Sequence, residues 1–139
     1  MNCVEAEIDI TILEGGTFDK IYQWKTGDPA VAVDLTGFTA EMQIRSKVKS
    51  TTSLLTVNSQ SSVWEADAAS GIYFSDGVAV PDDLGKYRIY IKDEDTLGLC
   101  LTNKDIEGAY DLFLYNADGE AVLKHYGIAT IKAAVTRNV

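Results

Sequence analysis

From Phe38 to Arg45 the chain alternates without a break: Phe38, Ala40, Met42 and Ile44 are apolar, and Thr39, Glu41, Gln43 and Arg45 are polar. Side chains that repeat their direction every second residue belong to a β-strand, so this octet predicts a strand with one face in a core and the other in water. Thr36-Gly37 supplies a turn ahead of it. The same period recurs elsewhere. Ile8, Ile10 and Ile12 alternate with Asp9 and Thr11, and Tyr87, Ile89 and Ile91 alternate with Arg88, Tyr90 and Lys92. Residues 18–24 read as another strand, with Phe18, Tyr22 and Trp24 on one face.

The remaining stretches extend this pattern. KTGDP at 25–29 reads as a turn. Residues 46–62 are rich in Ser, Thr and Lys around one apolar island, Leu54, Leu55 and Val57, and predict a short strand between variable loops. Ser75-Asp76-Gly77 separates β-prone residues 71–74 and 78–80 and predicts a hairpin. Asp93-Glu94-Asp95-Thr96 offers N-cap residues and early acidic charge for one helical turn running to residue 101. Residues 109–115 predict a strand, Asn116-Ala117-Asp118-Gly119 a turn, and residues 121–126 an antiparallel return. Gly127 then predicts a bulge or bend before a last strand over 128–135. The total is about eight short strands with turn signals roughly every 8–12 residues, the signature of a β-sandwich or barrel. A chain of 139 residues, 46% hydrophobic, is expected to form one domain over 1–139 with a single core.

Composition excludes more than it assigns. The net charge of −9 disfavours binding to a nucleic-acid backbone or an anionic membrane surface and suits a basic patch on a protein partner. Cys3 and Cys100 stand far apart without a nearby histidine, which points to two free thiols rather than a disulfide framework or a zinc site. The first ten residues lack the basic and apolar regions of a secretory leader, and no apolar run approaches a membrane span.

His125 is the sole histidine. A hydrolytic triad needs a histidine beside its nucleophile, and nothing pairs His125 with Cys100 or a serine, so it reads as a strand residue. Asp93, Glu94 and Asp95, with Asp82 and Asp83, could suggest a calcium loop, but they read better as helix-capping and solvated acids. Asn116, Asp118 and Gly119 resemble part of an EF-hand loop. No acid stands at its first position, and His125 falls at its twelfth. Paired carboxylates cannot be tested by spacing in a chain with 21 acids, and no phosphate-binding glycine loop occurs. No enzyme activity and no cofactor is expected. Trp24, Trp64 and seven tyrosines raise sugar stacking as an alternative. Trp64, in the polar context SSVWEAD, is the aromatic expected at a surface. Trp64, Leu54 and Leu55 are the candidate partner-contact residues.

Gly16-Thr17-Phe18, Trp24 and residues 33–45 (VDLTGFTAEMQIR) resemble small bacteriophage proteins whose N-terminal half carries G-D/T-F … W … PVDLTGYTARMQIR. Residues 108–112 (GAYDL), Ala117-Asp118-Gly119, residues 127–131 (GIATI) and Val135-Thr136-Arg137 follow the ending of the same group. Such proteins are similar to the N-terminal domain of phage upper-baseplate proteins and to other immunoglobulin-like virion modules. The resemblance implies an immunoglobulin-like antiparallel β-sandwich with one short helical turn, serving as a tail, neck or baseplate component or a fibre-attachment point. It implies other virion proteins as partners, a homo-oligomeric ring and location in the virion, and it transfers no catalytic residue. Residues 1–7 and 46–62 are the segments expected to order against those partners. A carbohydrate-binding host-recognition module and a capsid decoration protein are the alternatives.

Overall fold

The turn and strand at 34–45 form together. Asp34 Oδ1 accepts hydrogen bonds from the Thr36 amide at 3.0 Å and the Thr36 hydroxyl at 2.7 Å. These bonds hold its carboxyl below the usual carboxylate range. Leu35 is buried, and its carbonyl accepts from the Phe38 amide across Gly37, whose φ of +82° suits glycine. The segment thus ties the chain down at Leu35, reverses, and releases the strand in fixed register.

A computed structural model describes residues 6–46, 53–60, 69–75, 77, 81–97 and 104–133. The fold is all-β. In chain order the strands are β1 (Ala6–Glu7), β2 (Ile10–Leu13), β3 (Phe18–Gln23), β4 (Lys25–Thr26), β5 (Val31–Ala32), β6 (Thr39–Arg45), β7 (Ser53–Asn58), β8 (Gly71–Phe74), β9 (Lys86–Ile91), β10 (Ile106–Tyr115) and β11 (Ala121–Lys132). A 3-10 turn at Pro81–Asp83 and a single α-helical turn, α1 (Asp93–Thr96), are added. The larger sheet runs β1–β11–β10–β6–β7, with β2 also beside β11. The smaller runs β3–β9–β8, and β4 and β5 form a two-stranded ribbon. The sheets meet where Ser59 bridges Ile72 and the Gln60 amide donates to the Ile72 carbonyl.

Alternation decides what faces inward. Ala40, Met42 and Ile44 of β6 lie opposite Leu114, Leu112 and Tyr110 of β10. This row packs with Ile12 and Ile131 from its own sheet and with Phe18, Ile72, Tyr87, Ile89 and Ile91 from the smaller sheet in one apolar cluster. Phe18 is buried, and Tyr22 and Trp24 are half-buried against that cluster, as the shared face at 18–24 requires.

Two sequence expectations are corrected, the antiparallel sheet and the place of the bulge. The sheet is not wholly antiparallel, because β1 and β2 both run parallel to β11. The strand at 71–74 pairs with β9, from Gly71 opposite Tyr90 to Phe74 opposite Tyr87. Residues 78–80, the other arm of the expected hairpin, lie outside the described residues. β9 is the central strand of its sheet, and its Arg88 is buried in a two-pronged ion pair, Nε to Asp19 Oδ1 at 2.8 Å and Nη2 to Asp19 Oδ2 at 2.7 Å. The bulge expected at Gly127 falls earlier. The register passes from Leu112 opposite His125 to Phe113 opposite Leu123, which makes Lys124 the extra residue.

Gly127 has another role. A Cβ built there would stand 2.7 Å from the Ile8 carbonyl oxygen and 2.8 Å from Asp9 Oδ1. These atoms belong to the break between β1 and β2. There Ile8 donates to Tyr126 O at 2.9 Å, the Tyr110 hydroxyl donates to Ile8 O, and Ile128 N donates to Asp9 Oδ1 at 3.0 Å. Glycine lets the N-terminal segment run beside β11 closely enough for all three bonds. Gly127→Ala is expected to cost about 1–3 kcal/mol, as overpacking does. It should raise amide exchange first at Ile8 and Ile128; unchanged exchange there would show that the N-terminal strand does not depend on this approach.

Candidate functional site

The bulge at Lys124 inverts the usual distribution of side chains on β11. A bulge turns two successive residues toward the same face. Lys124 and His125 are accordingly both buried, although both are polar. Beyond them the alternation resumes in the opposite phase. Ala129 and Ile131 point inward and are buried, while Tyr126 and Ile128 point outward and are 38% and 43% exposed. One extra residue thus encloses an ammonium and an imidazole and brings two large apolar side chains to the surface.

The inward half of this arrangement is an aromatic cluster between the sheets. Nε2 of His125 is hydrogen-bonded to the Tyr87 hydroxyl, a link from β11 to β9 across the core. The Tyr22 ring meets the imidazole edge-on at a centroid distance of 4.5 Å and stacks on Tyr87 at 5.7 Å. The Lys124 ammonium lies 4.2 Å from the centre of the Trp24 ring, and Phe38 meets that indole edge-on. Nδ1 of His125 and Nε1 of Trp24 are buried with no hydrogen-bond partner among the described residues. Burial, together with the charge on Lys124, pushes the His125 pKa down to about 4. Burial likewise lowers Lys124, and burial with the neighbouring tyrosines raises Tyr87 well above the phenol range. At neutral pH the imidazole is therefore neutral and enclosed, and the phenol keeps its proton. Such a set locks the two sheets together and offers no accessible general base.

The outward half is an open groove of about 420 Å³ on the larger sheet. Ala109, Leu123, Tyr126 and Ile128 supply its apolar lining, and Glu7, Gln43, Arg45 and Asp111 its polar lining. Phe113 and Tyr115, stacked at 6.3 Å, continue the row along β10. Desolvation raises the Asp111 carboxyl, and the nearby Arg45 charge offsets part of that rise.

The residues singled out from sequence are not brought together there. Leu54 and Leu55 lie on β7, half-buried against the core at the edge of the larger sheet. Trp64, Cys3, Cys100 and much of the 46–62 segment lie outside the described residues. Asp93, Glu94 and Asp95 form the exposed face of α1 and are locally engaged: Asp93 Oδ1 accepts from the Glu94 amide, Lys92 pairs with Glu94 at 3.0 Å, and Ser70 bonds Asp95. Asp83 pairs with Lys86 at 2.7 Å. Asn116 Oδ1 accepts from the Asp118 and Glu120 amides, so it serves the β10–β11 turn. Among the described residues no group of three or more His, Cys, Asp or Glu side chains is placed to hold a metal ion, and no helix is long and apolar enough to cross a membrane.

Sequence reasoning missed the groove. The phase conflict in β11 appears only against its partner: Val122 is directly opposed to Leu114 and shares its face, whereas the inward positions Ala129 and Ile131 fall on the odd-numbered phase. No protein-family model matches the chain, and no curated protein matches it.

Proposed function

We propose that this chain is a non-enzymatic structural protein of a bacteriophage virion, built on an immunoglobulin-like β-sandwich. It acts as an assembly or fibre-attachment module of the tail, neck or baseplate. The observation that supports the fold in this reading is the strand order. The smaller sheet, β3–β9–β8, corresponds to strands B, E and D of an immunoglobulin domain. In the larger sheet β6, β10 and β11 correspond to C, F and G, and β7 takes the extra C′ position of variable-type domains. Antibody domains join their sheets with a disulfide; here the Tyr87–His125 bond joins them. The sequence resemblance to upper-baseplate proteins supplies the virion context.

In this reading the partners are other virion proteins and further copies of the chain in a ring closed by heterologous contacts, with no direct contact to nucleic acid or membrane. The outer edge of β7, unpaired by any strand among the described residues, suits such contacts. A sugar-binding role is less well supported, because Lys124 and Phe38 already occupy the Trp24 ring.

The test is mass spectrometry of gradient-purified particles from the phage whose genome encodes the chain, followed by antibody-gold labelling. Label at the tail, neck or baseplate is expected. Absence from the particle, label confined to the capsid surface, or hydrolysis of peptidoglycan or polysaccharide by the purified protein would overturn the assignment.

A further inference from the structure

The exposed groove on β10 and β11 is produced by the same bulge that buries Lys124 and His125, and that exchange runs against stability. Enclosing an ammonium and a half-satisfied imidazole costs free energy. Exposing Tyr126 and Ile128 forgoes the gain from burying them. A strand that accepts both penalties presents an apolar surface where solvent-facing polarity would be the stable choice, and contiguous exposed apolar surface marks interaction sites.

We propose that this outer face is a docking surface for an extended protein segment carrying apolar side chains flanked by lysine or arginine. The apolar row Leu123, Tyr126, Ile128 and Ala109 would receive the apolar side chains, with Tyr126 as an anchor of the kind that dominates interfaces. Charge selects the flanks. The outward positions of this face carry Glu7, Glu41, Glu107 and Asp111, against Arg45 and Lys132. This face is net acidic, so the same face of a second copy would meet like charge, whereas a basic segment is attracted. The inference does not depend on which assembly the chain joins.

The test is titration of the isotopically labelled full chain, followed by amide NMR, with three synthetic heptapeptides. The first is Lys-Phe-Lys-Leu-Lys-Phe-Lys; the second replaces each Lys with Glu, and the third replaces each apolar residue with Ser. The first peptide should shift the amides of Ala109, Asp111, Tyr126, Gly127 and Ile128 saturably. Ile128→Asp should weaken it by about tenfold or more, as loss of an interface anchor does. Ile21→Asp, at an exposed position on the other sheet, should change it by less than about twofold. Tyr126→Ser serves as the second variant if Ile128→Asp loses its dispersed spectrum. The proposal fails if the shifts fall elsewhere, or if the Ser peptide binds as well, which would leave charge alone. It also fails if the Glu peptide binds as well, or if the face instead mediates a concentration-dependent dimer that Ile128→Asp abolishes.

Discussion

Leu112→Ala is expected to destabilise the protein by about 2–5 kcal/mol, the range for deleting most of a fully buried leucine. Leu112 has no solvent exposure. It lies mid-strand on β10, between Met42 of β6 and His125 of β11, at the point where the bulge begins. β10 is fixed on both sides by long ladders, so the cavity cannot collapse easily, and the cost should fall in the upper part of that range. Domains of this size have roughly 5–15 kcal/mol of stability in all. The variant should therefore show a melting temperature lower by roughly 8–15 °C and a clearly reduced urea midpoint with an unchanged slope. Leu54→Ala and Leu55→Ala provide the contrast. Both side chains are only half-buried, on an edge strand, and each should cost about 1 kcal/mol. A Leu112→Ala protein within about 1 kcal/mol of the wild type would show that the core does not run through β10 as described.

The difference between these leucines shows which parts of the fold can be read from sequence. Strict alternation revealed β6 and much of β9, because period 2 is a local property that survives any tertiary arrangement. The turns at Gly37 and at Asn116 to Gly119 were legible for the same reason: Asp34 and Asn116 bond their own neighbouring backbone, with no help from distant residues. Strand partners were not legible. β8 pairs with β9, which lies beyond the 3-10 turn, and no local signal at 71–74 names that partner. Parallel pairing of β1 and β2 with β11 is equally hidden, since it joins residues more than a hundred positions apart and leaves no turn between them. The burial of Arg88 is a tertiary effect as well: it depends on Asp19 standing beside it on β3.

The candidate groove was the least legible part, for a related reason. A bulge is one residue of slippage between two strands, and slippage is defined only relative to a partner. Read alone, Lys124 and His125 are ordinary polar residues, and Tyr126 and Ile128 ordinary core candidates. Read against β10, the four exchange roles. Gly127 lies close to the bulge, but its requirement comes from Ile8 and Asp9 packed against it.

The buried imidazole makes acidification the second sensitive test. His125 is 3% exposed. Burial and then the Lys124 charge bring its pKa from the ordinary 6.5 to about 4 in the folded state. Between those values the unfolded chain binds a proton that the folded chain does not, so stability must fall as pH drops from about 6.5 to about 4, and must be fully retained above that window. Each unit of pKa difference corresponds to about 1.4 kcal/mol, giving a loss of about 2–4 kcal/mol across it. Asp111 acts in the opposite direction, because its carboxyl is raised on folding, but it is partly exposed and contributes little. Asp34, lowered on folding, acts below the usual carboxylate range and so beneath this window. Urea unfolding at a series of pH values between about 4 and 7 should therefore trace the histidine. His125→Gln keeps a polar partner for Tyr87 without a titrating group and should flatten the profile over that interval. Lys124→Met removes the second cause of the depression while keeping an unbranched stem against Trp24. It should let the folded-state pKa rise, so that the loss begins at the same pH but ends sooner and is smaller. A wild-type profile that is flat from about pH 7 to 4, or one unchanged by His125→Gln, would mean that the imidazole is not enclosed between the sheets.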